Sequence, residues 1–330
     1  MSSALPLCQI AMSVLDQPGT YAWYQQLFGF LPAGGTNSFR GPIASSIQGI
    51  PKAASSCWWL VDQQSQFQIE LFQFESPVVR PQAKDWRPCD IGYSMVSLWV
   101  KDFDACLTRL DRLGGKLESA VQGKSGQRRA CFRDPEGVLL EIMEEDIRAR
   151  SKRQRPNLSA SVAVRSVTMS VEDIERSAQL MGDIFGMQEL DSELIHSAEH
   201  ESLWGLTGAQ RLQRVFDAGD MFIEIVQYQQ PLGKKLPDDY RISDQGLLNI
   251  AFGFRSWREF NRVHKRCKAN GILGNSRALH LGAWSVVYVN DQQGFSFELL
   301  MVKPWYDSFM GFKAKPGWKQ SDKLEPSLRL

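Results

Sequence analysis

Hydrophobic and polar residues alternate with period two in several short runs of the chain, and between those runs the apolar spacing shifts to that of a helix. Across residues 8–14, Ile10, Met12 and Val14 fall on one face and Gln9, Ala11 and Ser13 on the other. That strand leads to a predicted helix over residues 20–28, then to strands over 57–61 and 67–74. The pattern restarts with a strand over 93–100, a helix over 102–113 closed by Gly114 and Gly115, and strands over 127–132 and 138–143. The helices are read from 3.6-residue periodicity and C-terminal glycines, the strands from alternation and β-branched or aromatic content. The predicted unit is βαβββ.

The unit recurs. The run from Ile10 to Val14 (IAMSV) precedes a helix ending in Leu27, Phe28, Gly29 and Phe30, and the run from Val167 to Val171 (VTMSV) precedes one ending in Ile184, Phe185, Gly186 and Met187. Asp134 to Glu141 (DPEGVLLE) answers to Asp291 to Glu298 (DQQGFSFE). Gly29 and Gly186, Gly137 and Gly294, and Glu141 and Glu298 all lie 157 residues apart. The expected architecture is α+β: two tandem modules over 1–146 and 161–303, four βαβββ units with curved mixed sheets and helices on the convex faces. A basic run in the linker 147–160 reads as a solvated connector. The aromatic-rich tail 304–330, with Trp305, Tyr306, Phe309, Phe312 and Trp318, is expected to pack on the body.

Periodicity also assigns faces. Over 247–254, Leu248, Ile250, Phe252 and Phe254 form the apolar face, leaving Asn249, Ala251 and Gly253 opposite. Over 295–301, Phe295, Phe297, Leu299 and Met301 are apolar and Ser296 and Glu298 turn the other way; Glu70 likewise opposes Ile69 and Leu71.

Composition narrows the partners. The 330 residues are 43% hydrophobic and 23% charged, with 38 Lys and Arg against 37 Asp and Glu. A net charge of +1 gives no global field for nucleic acid or an anionic bilayer, so the expected partner is a small molecule. The chain has no run of about 18 apolar residues and its start lacks a signal-peptide pattern. Six cysteines (Cys8, Cys57, Cys89, Cys106, Cys131, Cys267) without CxxC spacing read as reduced thiols. These features predict a cytoplasmic protein, monomeric or homodimeric.

The stretch from Phe132 to Glu141 and the opener ending in Leu27 to Phe30 resemble the vicinal oxygen chelate superfamily, which includes glyoxalase I, extradiol dioxygenases and bleomycin-resistance proteins. The resemblance spans about residues 5 to 303. It implies curved sheets whose concave faces form cups, with metal ligands on the first and last strands of each unit. Carried over residue by residue, the opening-strand ligand falls on Gln9 and Ser166, the fourth-strand Glu on Glu70 and Glu224, the fifth-strand position on Met95 and Asn249, and the closing Glu on Glu141 and Glu298. None of these is histidine.

If the first half of one module pairs with the second half of the other, one cup gathers Gln9, Glu70, Asn249 and Glu298. That all-oxygen set suits Mg²⁺, Mn²⁺ or Ca²⁺ better than Fe²⁺ or Zn²⁺. The other cup gathers Ser166, Glu224, Met95 and Glu141, a poorer set. If the halves pair within each module, both sites lose a donor and no metal is expected. The resemblance thus implies a lyase or isomerase moving a proton next to a carbonyl, with Glu298 and Glu70 catalytic, Gln9, Ser13, Asn249, Ser296, His280 and Trp284 contacting substrate, and a divalent metal at Gln9, Glu70, Asn249 and Glu298 or no cofactor at all. The alternatives are an extradiol ring-cleaving dioxygenase and a metal-free small-molecule binder. Tyr93 and Trp99 are candidates for lining the second cup. His264 reads as part of a solvated helix face, and His196 and His200 fall in a predicted loop from which they could reach a cup, although a solvent-exposed loop histidine is the commoner case.

Overall fold

The computed structural model of the chain describes residues 5–62, 64, 66–150 and 160–315. The first unit holds β1 (Leu7–Ser13), α1 (Gln17–Phe28), β2 (Leu31–Arg40), α2 (Pro42–Gln48), β3 (Ala54–Val61) and β4 (Gln68–Ser76). The second holds β5 (Gly92–Val100), α3 (Phe103–Arg112), β6 (Arg129–Arg133) and β7 (Leu139–Met143). The third holds β8 (Val162–Ser170), α4 (Ile174–Gln179, continued by a wider turn over Leu180–Ile184), β9 (Gln188–Leu190), β10 (Gln210–Ala218) and β11 (Met221–Gln230). The fourth holds β12 (Gly246–Phe254), α5 (Trp257–Ala269), β13 (Leu273–Gly274), β14 (Leu279–His280), β15 (Trp284–Asn290) and β16 (Ser296–Val302).

The repeated motifs have local physical causes. The main helix of each unit starts on a side-chain cap: Asp16 accepts from Gly19 N, Asp102 from Ala105 N, Asp173 from Arg176 N and Ser256 from Glu259 N. Gly29 (φ 73°) and Gly186 (φ 80°) turn left-handed where the chain leaves the helical stretch, a conformation that a β-carbon disfavours. In the other shared motif Asp134 Oδ1 accepts from Glu136 N and Val138 N, and Asp291 Oδ1 accepts from Gln293 N and Phe295 N. Each turn then grips the start of another unit's helix. Glu136 accepts from Leu15 N and Asp16 N, and Gln293 from Asp173 N.

The strands form two sheets. One runs β13-β15-β16-β12-β1-β4-β3-β2 with β14 on β15, the other β6-β7-β5-β8-β11-β10-β9. The seams are the antiparallel pairs β1 with β12 and β5 with β8. The first unit therefore shares a sheet with the fourth, and the second with the third, so each sequence module is divided between the sheets. One large core joins the convex faces of both sheets through the buried faces of α1, α3, α4 and α5. Phe185, for example, packs on Phe252 and Phe297 of the other sheet.

Ile10, Met12, Val14, Ile250, Phe252, Phe254, Phe295, Phe297, Leu299 and Met301 all enter this core, as alternation predicts. Leu248 does not. A register shift where Ala11 and Met12 pair with Asn249 and Leu247 turns Leu248 to the concave side, among Ala11, Phe72 and Phe74. Alternation did not disclose β2 and α2, and in the second unit the strand matching β2 shrinks to isolated bridges at Leu117 and Gln122. Of the basic linker, Arg148 pairs with Asp220 and Arg150 with Glu145, while residues 151–159 lie outside the described residues. Of the tail aromatics, Phe312 is buried and Trp305 and Phe309 are exposed; Trp318 lies outside the described residues. No helix among the described residues is long and apolar enough to cross a membrane.

Candidate functional site

The concave face of the first sheet gathers Gln9 (β1), Glu70 (β4), Asn249 (β12) and Glu298 (β16). The ladders fix their proximity: Glu70 is beside Ala11 on β1 and Trp59 on β3, Ala11 pairs with Asn249, and Glu298 is beside Ala251 on β12 and Tyr288 on β15. All four are buried.

Their surroundings differ. Glu70 is pinned by three donors: Cys57 Sγ (2.9 Å) and Trp59 Nε1 (2.8 Å) on Oε1, and Gln9 Nε2 on Oε2. Asn249 is fully buried with the Tyr288 hydroxyl as its hydrogen-bonding neighbour, and the Ser296 hydroxyl has no partner among the described residues. Such a hydroxyl is costly inside a protein unless a ligand satisfies it. Neither carboxylate has a cationic partner among the described residues. Burial raises the Glu70 carboxyl to about 7, with Cys57 and Trp59 pulling the other way. Burial, and then repulsion from Glu70, push Glu298 well above the carboxylate range, opposed by the Tyr288 hydroxyl. The same enclosure thus displaces both carboxyls toward the protonated form.

The other predicted contacts divide. Ser13 is buried, its hydroxyl donating to Ser243 O (2.8 Å), and Trp284 packs beside the concave cluster of Cys8, Tyr288 and Phe312. His280 does not join them. It is on the helix-covered side, stacked on Trp257 (4.7 Å) and near Phe260 (5.9 Å) of α5, because its pairing with Ser285 gives it that residue's face. His264 is buried against Phe260 rather than solvated.

The tail closes over this cup. Phe312 enters its apolar wall, Gly311 sits against Trp59 and Gln68, and Gln68 Nε2 donates to Gln9 Oε1 (3.2 Å), joining the tail's contact to the cup. Arg255 ties Asp307 (3.0 Å), and Lys315 N donates to Pro32 O (2.7 Å). A cavity of about 330 Å³ lies at the crossovers between the sheets, lined by residues 80–93 and 234–248 among others. Leu248 belongs both to its wall and to the apolar lining of the cup.

The second cup does gather Ser166, Glu224, Met95 and Glu141, but it is filled. His196 reaches in from the segment between β9 and β10, its Nε2 2.8 Å from Glu141 and its Nδ1 2.7 Å from Glu224. Arg129 pairs with Glu141 (2.8 Å), and Arg211 pairs with Glu201 (2.6 Å) and lies 3.7 Å from Glu224. Burial alone would lower the His196 pKa, but Glu224 and Glu141 outweigh it and hold it above the ordinary histidine value. Burial likewise opposes ionisation of the two carboxyls. Arg129 and His196 nonetheless hold Glu141 well below the carboxylate range, and His196 and Arg211 bring Glu224 to about 2. His200 is only partly exposed and depressed to about 4, first by burial and then by Arg129 and His196. His196 thus lies in a loop and reaches a cup, and it is fully buried rather than solvent-exposed. Tyr93 faces the core between the sheets, its hydroxyl donating to Ser296 O (2.6 Å), while Trp99 donates to Glu144 O (3.2 Å).

Residues 8–132 match the family model described as the glyoxalase/bleomycin resistance protein/dioxygenase superfamily. The match lies in the first module, and the fold of that superfamily extends over both modules. Glyoxalase I from Zea mays superposes over 93% of this chain and 94% of its own, at 14% identity and a TM-score of 0.61. A protein from Bacillus subtilis subsp. subtilis str. 168, provisionally assigned as a dioxygenase, covers 96% of this chain and 92% of its own, also at 14% identity and 0.61. At that identity the likeness speaks for the glyoxalase-superfamily fold alone. No curated protein matches the chain in sequence.

Proposed function

We propose that this glyoxalase-superfamily protein is a lyase or isomerase that moves a proton next to a carbonyl in the first cup. The carrying observation is the buried pair Glu70 and Glu298 on one concave face, without a cationic partner among the described residues and with both carboxyls raised by burial. Such a pair supplies a proton acceptor and a proton donor in one enclosure. Glu298, with the Tyr288 hydroxyl beside it, is the member free to carry the proton. Glu70, pinned by Cys57, Trp59 and Gln9, holds the compensating charge and the geometry. The apolar wall around them, including Phe72, Leu248 and Phe312, excludes water from the reacting carbon.

The cup also fits a divalent cation. Two carboxylates without a counter-ion among the described residues, with two side-chain amides beside them, make an oxygen-rich set, with Gln9, Glu70, Asn249 and Glu298 as the residues that would hold it. A bound ion would polarise the substrate carbonyl and stabilise an enolate oxygen. An extradiol dioxygenase has less support, because no histidine joins this cup: His196 and His200 lie at the second cup, and His264 and His280 pack against Phe260 of α5.

The test is solvent exchange. Thiol adducts of 2-oxoaldehydes, 2-oxo acids and acyl thioesters are incubated with the protein in D₂O, with and without Mg²⁺ or Mn²⁺, and loss of the α-proton signal is followed by ¹H NMR. At least one compound is expected to exchange, at least about 100-fold more slowly with Glu298→Gln. Exchange unaffected by that substitution overturns the assignment of Glu298. Tight binding with the ligand recovered unexchanged supports the metal-free binding protein instead.

A further inference from the structure

The chain carries the same pair of carboxylates twice. Glu141 and Glu298 are 157 residues apart, and each stands beside the opening strand of its own unit, opposite Ser97 and Ala251. Glu224 and Glu70 lie on strands running parallel to β8 and β1 with matching register, Phe222 against Ser166 and Gln68 against Gln9. In the first cup the pair has no cationic partner among the described residues. In the second it encloses an imidazole whose two nitrogens are both spent, one on each carboxylate.

We infer that His196 is a built-in cation that closes the second cup, taking between Glu141 and Glu224 the place that the first cup leaves to a ligand from outside. The ring is delivered by a fixed backbone. Gln213 Nε2 donates to His196 O (2.9 Å) and Ser192 O (2.8 Å), Arg129 to Ile195 O (2.8 Å), and Trp204 stacks edge-on against the ring at 5.1 Å. The His200 ring, accepting from Ser197 N (2.9 Å), ties the start of the turn that follows. Charge closes as well: Arg129, His196 and Arg211 face Glu141, Glu224 and Glu201. A metal does not fit this cup, because the oxygens that would bind it are engaged by protein cations. Of two carboxylate pairs, only one is left to exchange its occupant with solvent. This inference does not depend on the first cup being catalytic.

The test uses the full chain and needs no substrate. His196→Gly is expected to lower the melting temperature on the order of 10 °C, since it leaves two buried carboxylates facing each other. Imidazole at tens of millimolar should recover much of that loss in His196→Gly and leave the unsubstituted protein unchanged. Should His196→Gly fail to fold, His196→Ala combined with Glu224→Gln decides: relief of repulsion makes the double variant more stable than His196→Ala alone, whereas a packing role makes it no better. Imidazole without effect on a folded His196→Gly, or a double variant no more stable than the single, overturns the inference. So does purified protein carrying a bound metal that is lost on His196→Ala.

Discussion

Glu141 and Glu298 occupy equivalent places in the two sheets, yet Glu141 is held between Arg129 and His196 while Glu298 has no cationic partner among the described residues. The consequence is opposite acidity from one fold position. The cations more than offset the effect of burial on Glu141, whereas burial and Glu70 act together on Glu298. Glu298→Gln should therefore separate function from stability. Carbonyl exchange falls by at least about 100-fold, while the melting temperature at alkaline pH holds or rises because one of two repelling buried charges is gone. Calorimetry beside the NMR assay checks both.

Stability should fall as pH rises from about 5 to about 8. The folded-state carboxyls of Glu70 and Asp134 (each about 7), Asp62 (about 6) and Glu298 are all raised, chiefly by burial. The folded state thus binds protons that an unfolded chain has released above about pH 4.3, and loses that advantage as pH climbs through the raised values. Glu141 and Glu224, with lowered values, act in the other direction, their contribution vanishing as pH falls toward 2. Unfolding free energies from urea titrations at pH 5, 6.5 and 8 should decline on the order of 1 kcal/mol per pH unit per group, the midpoints falling with them, and Glu70→Gln should flatten the decline. Midpoints rising over that range would contradict the assignment.

Trp59→Phe removes one of the three donors holding Glu70. A hydrogen bond to a charged group contributes about 1.5–3 kcal/mol, so the Glu70 pKa should climb by roughly one unit or more, moving the acid limb of the exchange pH profile to higher pH. The pH–rate profile of the variant tests this, and an unmoved limb would remove Trp59 from the site.

Asn249→Leu should cost about 1 kcal/mol of stability, since the bond between its amide and the Tyr288 hydroxyl is lost, while abolishing exchange. Urea denaturation and the exchange assay together check it. Exchange retained by the variant would remove Asn249 from the site.

The tail over the first cup should control access. Phe312→Ala removes the ring that enters the wall around Cys8 and Tyr288. Thiol labelling of Cys57, which is buried against Glu70, should then speed up by about tenfold. Mass spectrometry of the labelled peptide identifies the site, and an unchanged rate would show that the tail does not gate the cup.

Much of this was legible from period and spacing. Alternation around Ile10, Ile250 and Phe297 gives the convex face because side chains in a strand must point to opposite sides. The 157-residue offset gives the second copy because Gly29 and Gly186, like Asp134 and Asp291, solve the same local turn problem. Leu248 escaped because a bulge resets alternation without leaving a composition signal. The donors on Glu70 were partly readable: Cys57 and Trp59 fall on one face of β3, but which strand they would meet depends on pairing.

The sequence by itself determined the units and their faces, since these follow from interactions within a few residues or within one strand, while the single glutamate positions are those the family resemblance implies. Only the tertiary structure decided that the first unit joins the fourth and the second the third, because sheet pairing brings together residues up to about 240 positions apart. It alone also placed His196. That residue stands in a segment without periodicity, and its charge acquires meaning from Glu141 and Glu224, which only folding brings to opposite sides of its ring.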